Sequence, residues 1–112
     1  METSILGLDP YRRSDPLSRR RGVVKSSQLE MYTNRRVTVS GQIITGKRTK
    51  TRRGEYMKFI TVEDNEGLVE IVLFPKVYRF YGDRTVGSHS VSVRGVVKNE
   101  GGSLVLNAER LF

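Results

Sequence analysis

Hydrophobic and polar residues alternate along the chain from residue 37 onward, with the two-residue period that is typical of β-strands. In the first such run, Val37, Val39 and Ile43 alternate with polar residues, and Gly41 interrupts the apolar series. Four later runs share this alternation and are separated by turn-forming residues: 56–63, 67–74, 89–98 and 103–111. The pattern therefore predicts five short strands.

The order of these elements indicates a small barrel. Pro75 follows the third run and favours a short helix over 76–81, because proline fits the first turn of a helix. Five short antiparallel strands, with a short helix between the third and the fourth, are the order of a Greek-key barrel of the OB-fold type. The runs 37–43 and 91–97 also share the pattern Val-x-Val-x-Gly, as expected where neighbouring strands bend sharply. The predicted fold class is therefore an all-β, five-stranded OB-fold barrel with a helix between strands three and four.

The chain divides into a basic arm, residues 1–36, and a barrel domain, residues 37–112. The arm lacks the strand period and contains Pro10, Pro16 and the run Arg19–Arg21, so we expect an irregular segment that is extended or partly ordered. The net charge of +8 is concentrated in the arm and in residues 37–58, which hold six Lys or Arg and one Asp or Glu. Positive charge concentrated in one part of a protein favours binding of a polyanion such as nucleic acid. The alternative interpretation is that the charge serves only to keep the protein soluble.

The most basic part of the domain coincides with a ligand-binding region of the predicted fold. In OB-folds the ligand lies across strands two and three, between the loop that joins strands one and two and the loop that joins strands four and five. Here these loops are predicted at 47–55 and 99–102. The first contains the cations that we expect to contact phosphates: Lys47, Arg48, Lys50, Arg52 and Arg53. A solvated hairpin tip is the competing interpretation.

The second predicted strand supplies aromatic side chains beside this loop. Ile60 and Val62 suit the barrel interior, so Phe59 should lie on the outer face together with Met57 and Thr61. A base that stacks on an aromatic ring gains ~1–3 kcal/mol. Tyr56 lies at the junction of loop and strand, where its ring could also reach a ligand. The alternative for Phe59 is packing beneath a loop or the arm.

Other candidate chemistry is weak. Residues 41–47 have the glycine spacing of a P-loop, but Arg48 stands where Ser or Thr should bind magnesium. The carboxylates Glu63, Asp64 and Glu66 are more typical of a turn than of a metal site.

The rest of the composition adds no catalytic centre. His89 is the only histidine and no cysteine is present. We predict no catalytic residue, metal, cofactor or small-molecule substrate. No apolar run is long enough for a membrane helix, so we expect a cytoplasmic protein with no membrane partner.

The chain from residue 36 to 112 resembles the OB-fold domain in the C-terminal part of the bacterial DNA polymerase III alpha subunit. The similar segments are VTVSGQI (37–43), TKTRRGEYMKFITVED (49–64), GLVEIVLFP (67–75), VSVRG (91–95) and LNAERL (106–111). Residues 6–17 are similar to the segment before that domain, although Ser14-Asp15-Pro16 replaces the family's usual Gly-His-Pro.

This resemblance implies a non-catalytic module that helps hold the single-stranded DNA template near the polymerase, whose catalytic domain lies elsewhere in that large chain. It also implies other replisome proteins as partners. A protein-interaction module and an RNA- or tRNA-binding OB-fold are the alternatives that the sequence leaves open.

Overall fold

Five strands close into a barrel in the computed structural model, which describes residues 23–87 and 89–112. The strands are β1 (Arg36–Lys50), β2 (Tyr56–Asp64), β3 (Gly67–Leu73), β4 (Ser90–Glu100) and β5 (Ser103–Leu111). Helix α1 (Pro75–Tyr81) begins at the predicted proline and is followed by a short 3-10 helix, Gly82–Thr85. The predicted barrel with one helix between strands three and four is confirmed.

The strands are arranged around the barrel in the order β1-β2-β3-β5-β4, and β4 pairs with β1 to close it. Four of these pairings are antiparallel, but β3 and β5 run parallel over Glu70–Val72 and Val105–Asn107. The prediction of antiparallel strands throughout was therefore wrong for one pair. The reason is geometric: directions cannot alternate around a closed ring that has an odd number of strands, so at least one pair must be parallel.

The two glycines that predicted a bend do lie in neighbouring strands. In the β1–β4 ladder, Val37 is opposite Gly95 and Gly41 is opposite Val91. A Cβ atom added to Gly41 would lie 2.4 Å from the carbonyl oxygen of Glu63, and one added to Gly95 would lie 2.2 Å from that of Asn107. The backbones approach so closely at both places that no larger residue fits without a shift of the sheet.

The core consists of the inward positions of the alternating runs. The predicted interior residues Ile60 and Val62 are each 1% exposed. In β4 and β5 the buried positions also follow the alternation: Val91, Val93, Val97, Leu106 and Ala108. Leu104, on the same face of β5, is only partly buried. Partly buried residues of α1, Val77, Tyr78 and Tyr81, pack against this cluster.

Residues 23–35, which were predicted to belong to the arm, are folded against the barrel. The segment contains a 3-10 helix, Ser26–Tyr32, and its residues Val24 and Leu29 belong to the buried core cluster. The amide of Val24 donates to the carbonyl oxygen of Thr38 at 2.8 Å. This part of the predicted arm therefore contributes apolar surface to the core, whereas residues 1–22 lie outside the described residues.

Candidate nucleic-acid interface

The basic segment lies on a long hairpin formed by β1 and β2. Strand β1 continues through Lys50, so the connection to β2 contains only residues 51–55 rather than the predicted 47–55. Lys47, Arg48 and Lys50 are thus strand residues, paired with Phe59, Lys58 and Tyr56. The prediction of the loop boundary failed because both faces of β1 are exposed here, and no buried residue marks the strand period.

The tip of this hairpin is a tight turn that exposes two arginines. The amide of Gly54 donates to the carbonyl oxygen of Thr51 at 2.9 Å, which closes a β-turn with Arg52 and Arg53 at its two central positions. Gly54 has φ of +85°, which favours glycine. Both arginines are exposed, and no ion pair engages either one within residues 23–87 and 89–112.

The outer face of the hairpin carries the predicted stacking residue. Phe59 is 45% exposed, with Lys47 opposite it on β1 and Val72 opposite it on β3. Met57 shares this face and is half-buried opposite Thr49. The Phe59 ring therefore has a cation on one side and an apolar neighbour on the other. A stacked base would find its phosphate within reach of a positive charge.

The next position along this face is less favourable to an anion than the sequence suggested. The hydroxyl of Thr61 lies 3.2 Å from both carboxylate oxygens of Glu70, to which it donates. Sequence reasoning missed Glu70 as part of this face, because only the β2–β3 register places it directly opposite Thr61. The carboxylate is negatively charged, so the more electropositive end of this face is the one near Lys47 and Phe59.

The structure separates Tyr56 from Phe59. Tyr56 lies on the opposite face of the hairpin, where the guanidinium of Arg48 is 4.2 Å and the ammonium of Lys50 is 5.3 Å from the centre of its ring. Such cation–π contacts orient the two cations near the ring. Glu55, the acidic residue in the connection between β1 and β2, pairs with Arg79 of α1 at 3.5 Å. The nine predicted residues therefore form two faces and a tip rather than one surface.

The second predicted flanking loop is short. Only Gly101 and Gly102 separate β4 from β5, and both have positive φ, as in the two-residue turns of tight hairpins. The side chain of Asn99 accepts the amide hydrogen of Gly102 at 2.8 Å. The two glycines of this turn have no side chains that could contact a ligand. The β1–β2 hairpin is therefore the main polar element beside the outer face of β2.

The carboxylates near residue 64 form a turn, as predicted. Asp64 accepts hydrogen bonds from the amides of Glu66 and Gly67 at 2.8 and 2.9 Å. Among the described residues no cluster of His, Cys, Asp or Glu could hold a metal ion.

The residues with P-loop spacing, 41–47, lie within β1 and not before a helix. His89 is exposed, with its Nε2 2.6 Å from the carbonyl oxygen of Arg84. No helix in the described residues is long and apolar enough to cross a membrane.

The geometry agrees with the comparisons with known proteins. Residues 37–112 match a family described as the OB-fold nucleic acid binding domain, named for tRNA anticodon binding. The chain belongs to this family. The chain is also 33% identical over 93 residues to error-prone DNA polymerase 1 of Rhizobium meliloti (strain 1021), covering 82% of the chain and 8% of that protein. It is 42% identical over 53 residues to the DNA polymerase III subunit alpha of Halalkalibacterium halodurans, covering 47% of the chain and 5% of the relative.

Solved structures support the fold of this OB-fold domain. Asparaginyl-tRNA synthetase of Pyrococcus horikoshii superposes with a TM-score of 0.63 and 21% identity, covering 80% of the chain and 21% of the synthetase. A domain of replication protein A of Methanococcus maripaludis gives 0.58 and 18% identity, covering 71% of the chain and 84% of that domain. The chain spans less than a tenth of the length of the polymerases above.

Proposed function

We propose that this OB-fold domain binds single-stranded DNA through the tip of the β1–β2 hairpin and the outer face around Phe59. The observation that carries the proposal is the exposed pair Arg52 and Arg53, without a carboxylate partner in the described residues, on the same hairpin as the half-exposed ring of Phe59. Cations contact the phosphates of a single strand and aromatic rings stack on its bases. The relatives named above as DNA polymerases favour DNA over RNA as the strand.

Within a polymerase, such a domain would hold the single-stranded template beside the catalytic part of the chain. The domain itself has a binding role and no catalytic one in this proposal, and it acts in the cytoplasm. The residues have two kinds of contact with the DNA. Phosphates are contacted by Lys47, Arg52 and Arg53, and one base stacks on Phe59. Arg48 and Lys50, oriented by Tyr56, contact the backbone where the strand passes to the other face of the hairpin.

Fluorescence anisotropy of a labelled oligo-dT, measured over a range of salt concentrations, tests the proposal. If about four phosphates are contacted, the logarithm of the association constant falls with that of salt at a slope near −3. Replacing Arg52 and Arg53 with Gln should reduce the slope by ~1.4, because each phosphate contact on a single strand contributes about 0.7. The double variant of Lys25 and Arg84 to Gln removes the same charge elsewhere and should leave the slope within error of the unmodified chain.

The stacking role has its own matched control. Phe59→Ala should weaken binding by ~1–3 kcal/mol, with no change in the salt slope. Phe80→Ala removes a ring of the same type that is 76% exposed on α1, and it should not affect affinity. Equal affinities of the Phe59 and Phe80 variants, together with an unchanged slope in the arginine variant, would show that the ligand does not bind here. Competition with oligo-rU and with duplex DNA measures the preference among nucleic acids.

A protein-interaction role is the second candidate, and exposed apolar side chains favour it. Phe80 is 76%, Val86 68% and Phe74 47% exposed, all at or near the ends of α1. Exposed apolar side chains that form one contiguous patch mark protein contacts. If the chain binds no oligonucleotide at low salt, a replisome protein that covers this surface becomes the better hypothesis.

A further inference from the structure

Two arginines face each other on the outer surface of the other half of the barrel. Arg94 of β4 is directly opposite Arg110 of β5 in their antiparallel ladder. Their neighbours Val93 and Leu111 are buried, so both arginine side chains point outward. Like charges directly opposite each other destabilise a sheet. The two guanidinium groups therefore repel each other, and an anion that binds both would lower this cost.

The nearby carboxylate of Glu109 is hydrogen-bonded to a third arginine, Arg36. Glu109, in the irregular part of β5 beside Arg110, accepts hydrogen bonds on both carboxylate oxygens from Arg36, at 2.7 and 3.0 Å. The hydrogen bond from Arg36 lowers the pKa of Glu109, and the charge of Arg94 lowers it further. Arg36 and Arg94 thus share one carboxylate. Within the described part of the chain, neither Arg94 nor Arg110 forms an ion pair.

The surface around the arginine pair is lined with groups suited to a phosphodiester. Arg94 donates from its guanidinium to the hydroxyl of Thr38 at 3.3 Å. The hydroxyls of Ser40 and Ser92 lie 2.8 Å apart in the adjacent row of the same face. The guanidinium of Arg110 is 5.0 Å from the ring centre of Phe112, which is 50% exposed. Hydroxyl donors, two guanidinium groups and an aromatic ring therefore share one face.

We propose that Arg94 and Arg110 form a second nucleic-acid contact, in which both guanidinium groups bind one backbone phosphate and Phe112 packs against the adjacent base. Guanidinium groups match the geometry of phosphate oxygens, and an anion between the two arginines relieves their repulsion. The partner is the same single-stranded DNA as in the proposed function, and this inference rests on that function. A DNA strand long enough to extend beyond the outer face of β2 would continue across β4 and β5. An acidic protein segment would satisfy the charges but would not use the exposed ring.

The length of the oligonucleotide distinguishes this second contact from the first. One OB-fold covers ~4–16 nucleotides, so an oligo-dT of about 6 nucleotides should occupy the hairpin face alone and one of about 30 should reach both faces. Replacing Arg94 and Arg110 with Gln should lessen the salt slope for the long strand by ~0.7–1.4 and leave that for the short strand unchanged. Replacing both with Lys keeps the charge and should retain the slope.

The charge control is Lys76→Gln with Arg84→Gln, which removes the same charge near α1. Circular dichroism melting confirms that each variant is folded. A long-strand slope that changes equally in this control and in the arginine variant would overturn the second contact, because only general charge would then matter. An equal change for both lengths would also overturn it.

A second measurement separates failure of this inference from failure of the proposed function. In a variant with Arg52→Gln, Arg53→Gln and Phe59→Ala, backbone amide NMR signals of Arg94 and Phe112 should still shift when the long strand is added. If the unmodified chain binds oligo-dT at the hairpin but these signals do not move, the second contact is wrong and the first stands. If they move while the hairpin variants bind normally, the first assignment fails. Shifts produced by poly-glutamate but not by oligo-dT would overturn the nucleic-acid partner.

Discussion

Asp64 joins the N-terminal segment to the barrel, and its replacement should cause a large, calculable loss of stability. One carboxylate oxygen accepts from the hydroxyl of Ser26 at 2.8 Å and from the amides of Glu66 and Gly67 at 2.8 and 2.9 Å. The other accepts from the amide of Ser26 at 2.7 Å. The residue is half-buried, so water replaces these bonds only in part. Without them, the segment that places Leu29 in the core loses its hydrogen bonds to the β2–β3 turn.

The magnitude follows from the number of hydrogen bonds. Each contributes ~0.5–1.5 kcal/mol net, so Asp64→Ala, which removes all four, should lower the free energy of unfolding by about 2–6 kcal/mol. Asp64→Asn keeps the oxygen that accepts three bonds but turns an amide group toward the amide of Ser26. We expect a loss of about 1 kcal/mol from that change.

Urea denaturation followed by circular dichroism measures these losses. Ser26→Ala removes only the hydroxyl donor and should cost less than Asp64→Ala, about 1 kcal/mol. Glu66→Gln alters an exposed side chain, whose partner is the hydroxyl of Ser27, and should change stability by less than about 0.5 kcal/mol. If Asp64→Ala were no more destabilising than Glu66→Gln, the carboxylate would not be the attachment point and this reasoning would be refuted.

Two further predictions concern the sheet. Gly95→Ala should reduce the free energy of unfolding by ~3 kcal/mol, because the new methyl group would clash with the backbone of Asn107. Gly54→Ala should reduce it by ~1 kcal/mol, because only the positive φ disfavours alanine there. Similar urea midpoints for the two variants would contradict the steric argument. The hydrogen bond from Arg36 lowers the pKa of Glu109 below its ordinary 4.5, so the pair stabilises the fold above that value and the contribution is lost as pH falls through the folded pKa. The difference in melting temperature between the unmodified chain and Glu109→Gln should therefore shrink on acidification, and a constant difference would contradict it.

Much of the barrel could be predicted because its inward positions obey a simple period. Where one face of a strand is buried and the other is exposed to solvent, apolar residues alternate with polar ones, as at Val37, Val39, Ile60 and Val62. The same rule explains the error in β1. Beyond the barrel, around Arg48, no face is buried, so the hydrophobic pattern stops before the strand does.

The candidate site was harder to predict because it depends on register. Residue types alone indicated cations beside an aromatic strand, but they did not show that Tyr56 and Phe59 point to opposite faces of the hairpin. Nor could they show that Glu70 accepts the hydroxyl hydrogen of Thr61, since that contact depends on the alignment of β2 with β3. Long-range pairing carried this information, and no local pattern encodes it.

The pairing of β1 with β4 also has a consequence for the newly made chain. Residues of β1 contact residues of β4 at sequence separations of 52 and 56. At ~5–20 residues per second, a ribosome needs about 3–10 s to synthesise the stretch between them. During that time β1 and β2 can already form their hairpin, while the first half of β1 has an open edge that other nascent chains could join. Completion of this barrel is therefore timed by translation, and its most vulnerable moment precedes the appearance of β4.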